Sequence, residues 1–202
     1  MSEPVAGDPA PGGDACAPRR WSSTLKAVYS FARGAFALIG LYTIVFSLFF
    51  DLGKIVSPSM QPTLQGTCWD DGDWVLSENI SLWFRPPKRW EVVRIRADDG
   101  LMIMKRIAGL PGETIQLVDG KPVIDGQTRQ PPPSLGFLHY FAYGPHSHNG
   151  KITTCGTGYF VLGDDSKDSL DSRYEGPVDP SKIQSRAVLR VWPPARIGWI
   201  NP

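Results

Sequence analysis

Leu101-Met102-Ile103-Met104-Lys105-Arg106-Ile107 is a short, almost wholly apolar run interrupted by two cations. Its length and its isoleucines suit a β-strand. Side chains on a strand alternate between faces, so Lys105 shares its face with Ile103 and Ile107. A lysine is almost never fully buried without a partner. Desolvation lowers its pKa. An ordinary amine, with a pKa of about 10.4, is protonated at neutral pH. One held at about 7–8 has a usable neutral fraction and can act as a general base. Taken alone, the run also reads as an edge strand whose lysine reaches water along its stem.

Other short β-rich segments surround this strand. They are Asp73 to Ser77, Trp90 to Arg96, Glu113 to Val118, Pro122 to Ile124, Gly158 to Leu162 and Ala187 to Trp192. Asp119-Gly120 and Asp125-Gly126 are two-residue hairpin signals on either side of the strand at 122–124. With 21 glycines and 19 prolines in 202 residues, the expected fold is mostly β, a domain of antiparallel strands over residues 51–202. Residues 127–150 are rich in proline and aromatics, with Pro131, Pro132 and Pro133 in succession, and read as an insertion or short cap rather than core.

Upstream, Gly34 to Phe50 (GAFALIGLYTIVFSLFF) contains no charge. Extended back to Val28, the stretch is about as long as a bilayer core requires, with Arg33 able to snorkel. It is followed by SLFFD rather than a small-x-small cleavage signal, and so reads as an uncleaved transmembrane helix over 28–50. Arg19, Arg20, Lys26 and Arg33 precede it, whereas Asp51 and a single lysine, Lys54, follow. That asymmetry puts the N-terminus in the cytoplasm and residues 51–202 on the far side of the membrane. Residues 1–27 carry a Pro-, Gly- and Ala-rich start with no hydrophobic period and read as a disordered cytoplasmic tail.

A formal net charge of +1 gives no electrostatic support for nucleic-acid binding. The three cysteines, Cys16, Cys68 and Cys155, form no CxxC pair. Cys68 and Cys155 fall in one domain and can be either bridged or free thiols. His146-x-His148 lacks a carboxylate or thiol at ligand spacing, so no metal is expected. Trp83, Phe84 and Trp90 flank Pro86, Pro87, Lys88 and Arg89, a composition that suits either a bilayer interface or core packing.

Two further segments carry chemistry. Ser57-Pro58-Ser59-Met60-Gln61-Pro62-Thr63-Leu64 puts two prolines and three hydroxyls in eight residues, which makes it an irregular, stiff loop able to present one hydroxyl. Gly163-Asp164-Asp165-Ser166-Lys167-Asp168-Ser169-Leu170-Asp171-Ser172-Arg173 is dense in Asp and Ser but lacks the Gly and Glu positions of a calcium loop. Read separately, these are a turn and a solvated loop.

Together the segments SPSMQPTL at 57–64, GD at 72–73, KRIAGLPGE at 105–113 and GDDSKDSLDSR at 163–173 resemble the bacterial type I signal peptidases (leader peptidases), in family order and behind a membrane helix. The resemblance extends over residues 28–202. It implies a signal-peptidase-like β domain and a membrane-bound serine endopeptidase that needs no cofactor. Such an enzyme removes signal peptides from exported preproteins after small-x-small sites, at the inner membrane with its catalytic domain outside. By the same resemblance Ser59 is the nucleophile and Lys105 its general base. Ser57 and the Ser59 N–H form the oxyanion hole, Ser169 orients the lysine, and Asp171 and Arg173 support that serine. Ile55, Met60, Leu64, Ile103 and Met104 would line apolar pockets for the small side chains before the cut. The partners implied are preproteins and the lipid bilayer.

Pro58 stands where many members have Gly, and Asp165 where they have Asn. Related Ser–Lys folds include self-cleaving repressors, which carry a DNA-binding domain in place of a membrane helix, and conjugation-type processing peptidases. A catalytically dead binding module would be expected to have lost Ser59 or Lys105, and both are present.

Overall fold

A computed structural model of the chain describes residues 22–141 and 150–200. Residues 1–21 of the expected tail lie outside the described residues, as do Cys16, His146 and His148; from Ser23 the expected tail is already helical, since 23–27 contain neither Gly nor Pro, and Phe50, expected to end the helix, opens the first strand. The chain divides at Ile44/Val45 into two units.

The first unit is occupied by helix α1, Ser23–Phe49, whose last residues run into the second. At a rise of about 1.5 Å per residue it is roughly 40 Å long. It buries none of its side chains within the protein, and by length and composition it could cross a bilayer. Within its apolar stretch the hydroxyl of Thr43 donates to the Ile39 carbonyl at 2.8 Å, so that polar side chain is satisfied along the helix itself.

The second unit is built of antiparallel strands. In chain order these are β1 (Phe50–Lys54), β2 (Trp74–Glu78), β3 (Val92–Arg96), β4 (Met102–Gly109), β5 (Thr114–Val118), β6 (Lys121–Ile124), β7 (Gln127–Thr128), β8 (Thr153–Thr154), β9 (Phe160–Leu162), β10 (Ile183–Trp192) and β11 (Gly198–Trp199). Two short helices, α2 (Ile80–Phe84) and α3 (Ser172–Glu175), complete it. The larger sheet runs β1-β2-β10-β3-β4-β9, with β11 on β10, and the smaller runs β7-β6-β5-β8. The hairpin signals form as expected. Val118 pairs with Lys121 and Ile124 with Gln127, and both central residues of each turn have positive φ: Asp119 and Gly120 at 49° and 75°, Asp125 and Gly126 at 49° and 76°.

Strand β4 organises the core because its two faces meet different neighbours. Ile107 and the half-buried Ile103 pack with Val93, Ile95, Tyr159, Val161 and Ile183. On the opposite face Met104 joins Ile55, Met60, Leu64, Val75 and Val92, and Ala108 joins a third cluster with Ile115, Ile124, Phe160 and Leu162.

Three features differ from the sequence reading or resolve it. Leu135, Leu138 and Tyr140, from the stretch expected to lie outside the core, are buried in that third cluster, because the turn at Pro133–Leu135 folds their apolar side chains inward. Trp90 is a core residue with φ of 72°, whereas Trp83 and Phe84 are exposed. Cys68 and Cys155 are free thiols. Cys68 sits on an exposed turn whose N–H groups are held by Asp71, while Cys155 is buried beside Gly109.

Ile124, 1% exposed, ties the smaller sheet to this shared core. Ile124→Ala is expected to cost about 2–5 kcal/mol in a single cooperative transition. Denaturant unfolding followed by two probes would check this; an independent early transition of the small sheet would contradict a shared core.

Candidate active site

One strand and two loops meet around Lys105. The strand supplies the lysine, whose cross-strand partner is Val93. Only 4% of the residue is exposed, which is tolerable because the amine donates to Ser169 Oγ at 3.1 Å. Burial pulls the Lys105 pKa below its ordinary 10.5; the nearby Asp171 carboxylate opposes this and the Arg173 guanidinium adds to it.

Ser169 is itself held from behind. Its hydroxyl donates to Asp171 Oδ2 at 2.7 Å. That carboxylate also accepts the Gly163 N–H at 2.8 Å and a forked pair from Arg173, Nε at 2.8 Å and Nη2 at 2.6 Å. Asp171 and Arg173 are fully buried side chains. A bidentate buried pair fixes direction as well as charge, and removing one partner of such a pair costs about 3–5 kcal/mol. The Ser169 proton is thus committed to Asp171. Toward Lys105 the hydroxyl can only accept, so one lysine N–H points at Ser169 and the remaining amine positions are free to point elsewhere.

The hydroxyl loop arrives from β1. Pro58, Ser59 and Met60 form one 3-10 turn with the proline in its first positions, where a fixed φ and a missing N–H do no harm. Pro58 is therefore accommodated by the loop. The first N–H bonded inside the turn is that of Gln61, donating to Pro58 O at 2.8 Å, so the Ser59 N–H lies ahead of it. Ser59 is buried, and its Oγ lies 3.3 Å from Ser57 Oγ, which sits at the exposed rim.

Ser59 and Lys105 do not hydrogen-bond to each other directly among the described residues. What joins their surroundings is Gly163. A side-chain carbon there would collide with Ser169 Oγ and would fall 2.6 Å from the Ser59 carbonyl oxygen. The same carbonyl accepts the Asp165 N–H at 3.1 Å. Hydroxyl loop, lysine partner and acidic loop therefore meet around one residue that has no side chain.

Residues not singled out from the sequence lock this meeting. Arg106, on the face opposite Lys105, forms a second forked pair with Asp164, Nε at 2.8 Å and Nη2 at 2.6 Å, and both side chains are fully buried. Thr63 Oγ1 donates to Asp164 at 2.5 Å, and Arg190 binds the Thr63 carbonyl at 2.9 Å. Strand alternation was the available signal: a lysine and an arginine in succession cannot both face water on a buried strand.

The expected pocket residues divide. Ile55, Met60, Leu64 and Met104 share one cluster, with Met60 and Leu64 sealed at 1% and 0% exposure, whereas Ile103 lies on the other face of β4. Strand β9 pairs with β4 only over Arg106–Gly109, which leaves the edge at Met102–Lys105 open on that side.

An unfolded lysine binds its proton up to about pH 10.5, whereas folded Lys105 releases it earlier. Between the two values the unfolded chain holds more protons, so stability rises with pH across that window. Lys105→Met should flatten this rise, read from denaturant midpoints between about pH 7 and 10. An unchanged slope would mean the amine titrates normally.

The sequence model for the family described as signal peptidase, peptidase S26, matches residues 28–192. Signal peptidase I of Leptolyngbya laminosa is 32% identical over 157 residues, covering 73% of this chain and 71% of that protein. The probable signal peptidase I-2 of Synechocystis sp. is 33% identical over 154 residues, covering 73% of this chain and 65% of that protein. Signal peptidase I V of Bacillus subtilis is 29% identical over 167 residues, covering 79% of this chain and 95% of that protein.

Proposed function

The chain belongs to the type I signal peptidase family, peptidase S26, a family of serine peptidases that remove signal peptides, and we propose that it does so as a membrane-bound Ser–Lys endopeptidase. The observation that carries this reading is the buried Lys105 amine, with one N–H directed at a hydroxyl that can only accept.

In this mechanism neutral Lys105 takes the Ser59 proton and Ser59 Oγ attacks the scissile carbonyl. Backbone N–H of Ser59 and hydroxyl of Ser57 stabilise the oxyanion; losing one such donor costs about 100- to 1000-fold in rate. The lysine ammonium then protonates the leaving amine, and the amine so regenerated activates the water that releases the acyl-enzyme. Catalytic hydrogen bonds are often long before substrate arrives, so the absence of a direct Ser59–Lys105 bond is compatible with this role. Ser169, Asp171 and Arg173 act as positioning residues.

The signal-peptide side of the substrate adds as a strand to the open edge of β4 at Met102–Lys105, which brings its carbonyl to Ser59. Ile55 and Met104 then face its small side chains from one face and Ile103 from the other, with Met60 and Leu64 as floor. The charge asymmetry about α1 supports a cytoplasmic N-terminus, a span ending near residue 50 and a catalytic domain, 51–202, on the outer side of the cell's inner membrane. The partners are the bilayer and exported preproteins cut after small-x-small sites.

Purified protein should cleave such a preprotein, while Ser59→Ala and Lys105→Ala abolish cleavage. Lys105→Arg should also be inactive, because a guanidinium does not give up its proton; turnover in it would require another base. Gly163→Ala should lower kcat about a hundred-fold by displacing Ser169 from the lysine, a shift of the order of an ångström. A folded, fully active alanine variant would remove Gly163 from the machinery.

A further inference from the structure

A groove of about 470 Å³ opens beside the hydroxyl loop, bounded by Gln61 and Pro62 on one side and by Asp164–Lys167 on the other. Its outer wall is aromatic: Phe137, His139 and Phe141. Phe137 and Phe141 are 43% and 41% exposed, and the rings of His139 and Phe141 stack at 6.5 Å. We propose that this groove binds the mature side of the substrate, the peptide immediately after the scissile bond. The proposal rests on the Ser59–Lys105 reading and extends it to the leaving chain.

Three observations carry it. The first is the course open to the substrate. The open edge of β4 ends at Lys105, because β9 takes the edge from Arg106 onward. A peptide that enters along Met102–Lys105 cannot continue on the same line past the cut, and has to turn out of the sheet. The groove begins there: Gln61 is two residues beyond Ser59, and the Asp165 N–H is bonded to the Ser59 carbonyl.

The second is how the wall is fastened. Ser166 Oγ donates to the His139 carbonyl at 2.7 Å and accepts the Phe141 N–H at 3.3 Å. Arg173, which forks onto Asp171 behind the lysine's partner, also donates to the Phe141 carbonyl. The aromatic wall is thus clamped by its main chain to the network that orients Lys105, while its rings are left exposed.

The third is chemistry. Asp165 is half-buried at the groove, with one carboxylate oxygen accepting the Lys167 N–H at 2.9 Å and the other without a hydrogen bond among the described residues. An anion beside exposed aromatic faces suits an extended peptide that presents an apolar or cationic side chain and acquires a terminal ammonium when cut. Its occupant is therefore the leaving segment.

Two peptides with the same small-x-small signal side would test this. One ends a single residue after the cut and the other continues four residues further with an aromatic or a lysine. In detergent micelles, wild-type protein should cleave the longer peptide with kcat/KM higher by about two- to ten-fold, the range of one aromatic contact. In Phe137→Ala, and in the double variant His139→Ala/Phe141→Ala, the ratio between the peptides should fall to near one through KM, whatever the absolute rate. Phe137→Tyr should keep it. Equal kcat/KM for both peptides in wild type, or a ratio unmoved by the variants, would overturn the groove assignment while cleavage sensitive to Ser59→Ala left the catalytic reading standing. A length effect seen only in bilayer vesicles would give the groove to lipid instead and also overturn it. No Ser59-dependent cleavage of either peptide would bring down both readings.

Discussion

A lysine amine can be kept out of water only if it has a partner to point at, and in this protein that is a serine hydroxyl with its proton already spent. Ser169 gives its hydrogen to Asp171, so it meets Lys105 as an acceptor. The order of donors along Lys105, Ser169 and Asp171 follows from that commitment. Arg173 makes it durable: the carboxylate is forked by the guanidinium and pinned by the Gly163 N–H, so it has little freedom to turn. A charged pair with no exposure is weak as a source of stability, since desolvation offsets most of the attraction. Its value here is direction.

The neighbouring pair, Arg106 with Asp164, does the corresponding work for the loop that carries Ser59. Lys105 and Arg106 are adjacent on β4 and face opposite ways, and each reaches the same acidic loop, Gly163 to Arg173, from its own face of the strand. Thr63 joins Asp164, so the segment that carries Ser59 is anchored a few residues beyond that serine. One strand and one loop therefore hold both Lys105 and the segment that carries Ser59. Gly163 is the contact point between them, and the absence of a side chain is what lets Ser169 and the Ser59 carbonyl approach together.

The smaller sheet is part of this arrangement rather than an ornament to it. Ile115, Leu117 and Ile124 share a core with Phe160 and Leu162 of β9, the strand that ends the open edge of β4. The segment after β7 buries Leu135, Leu138 and Tyr140 in that core and turns Phe137, His139 and Phe141 outward above the acidic loop. The same backbone thus closes the core and walls a groove next to Ser59.

Much of this was legible in the residues themselves. The strands, the two Asp-Gly turns and the apolar helix follow from local pattern, because period, turn chemistry and hydropathy act over a few neighbours. The ordered motifs named Ser59, Lys105, Ser169, Asp171 and Arg173 as one set. Tertiary structure alone decided what no local signal encodes. Strand β1 follows the helix without a break in the sequence and forms only by pairing with β2, and the apolar residues of 127–141 enter a core only when β5 and β6 are there to receive them. The Arg106–Asp164–Thr63 lock joins positions 43 to 101 residues apart in the chain. A buried charge announces that it needs a partner; which partner it finds depends on the packing that brings distant chain segments within hydrogen-bond reach.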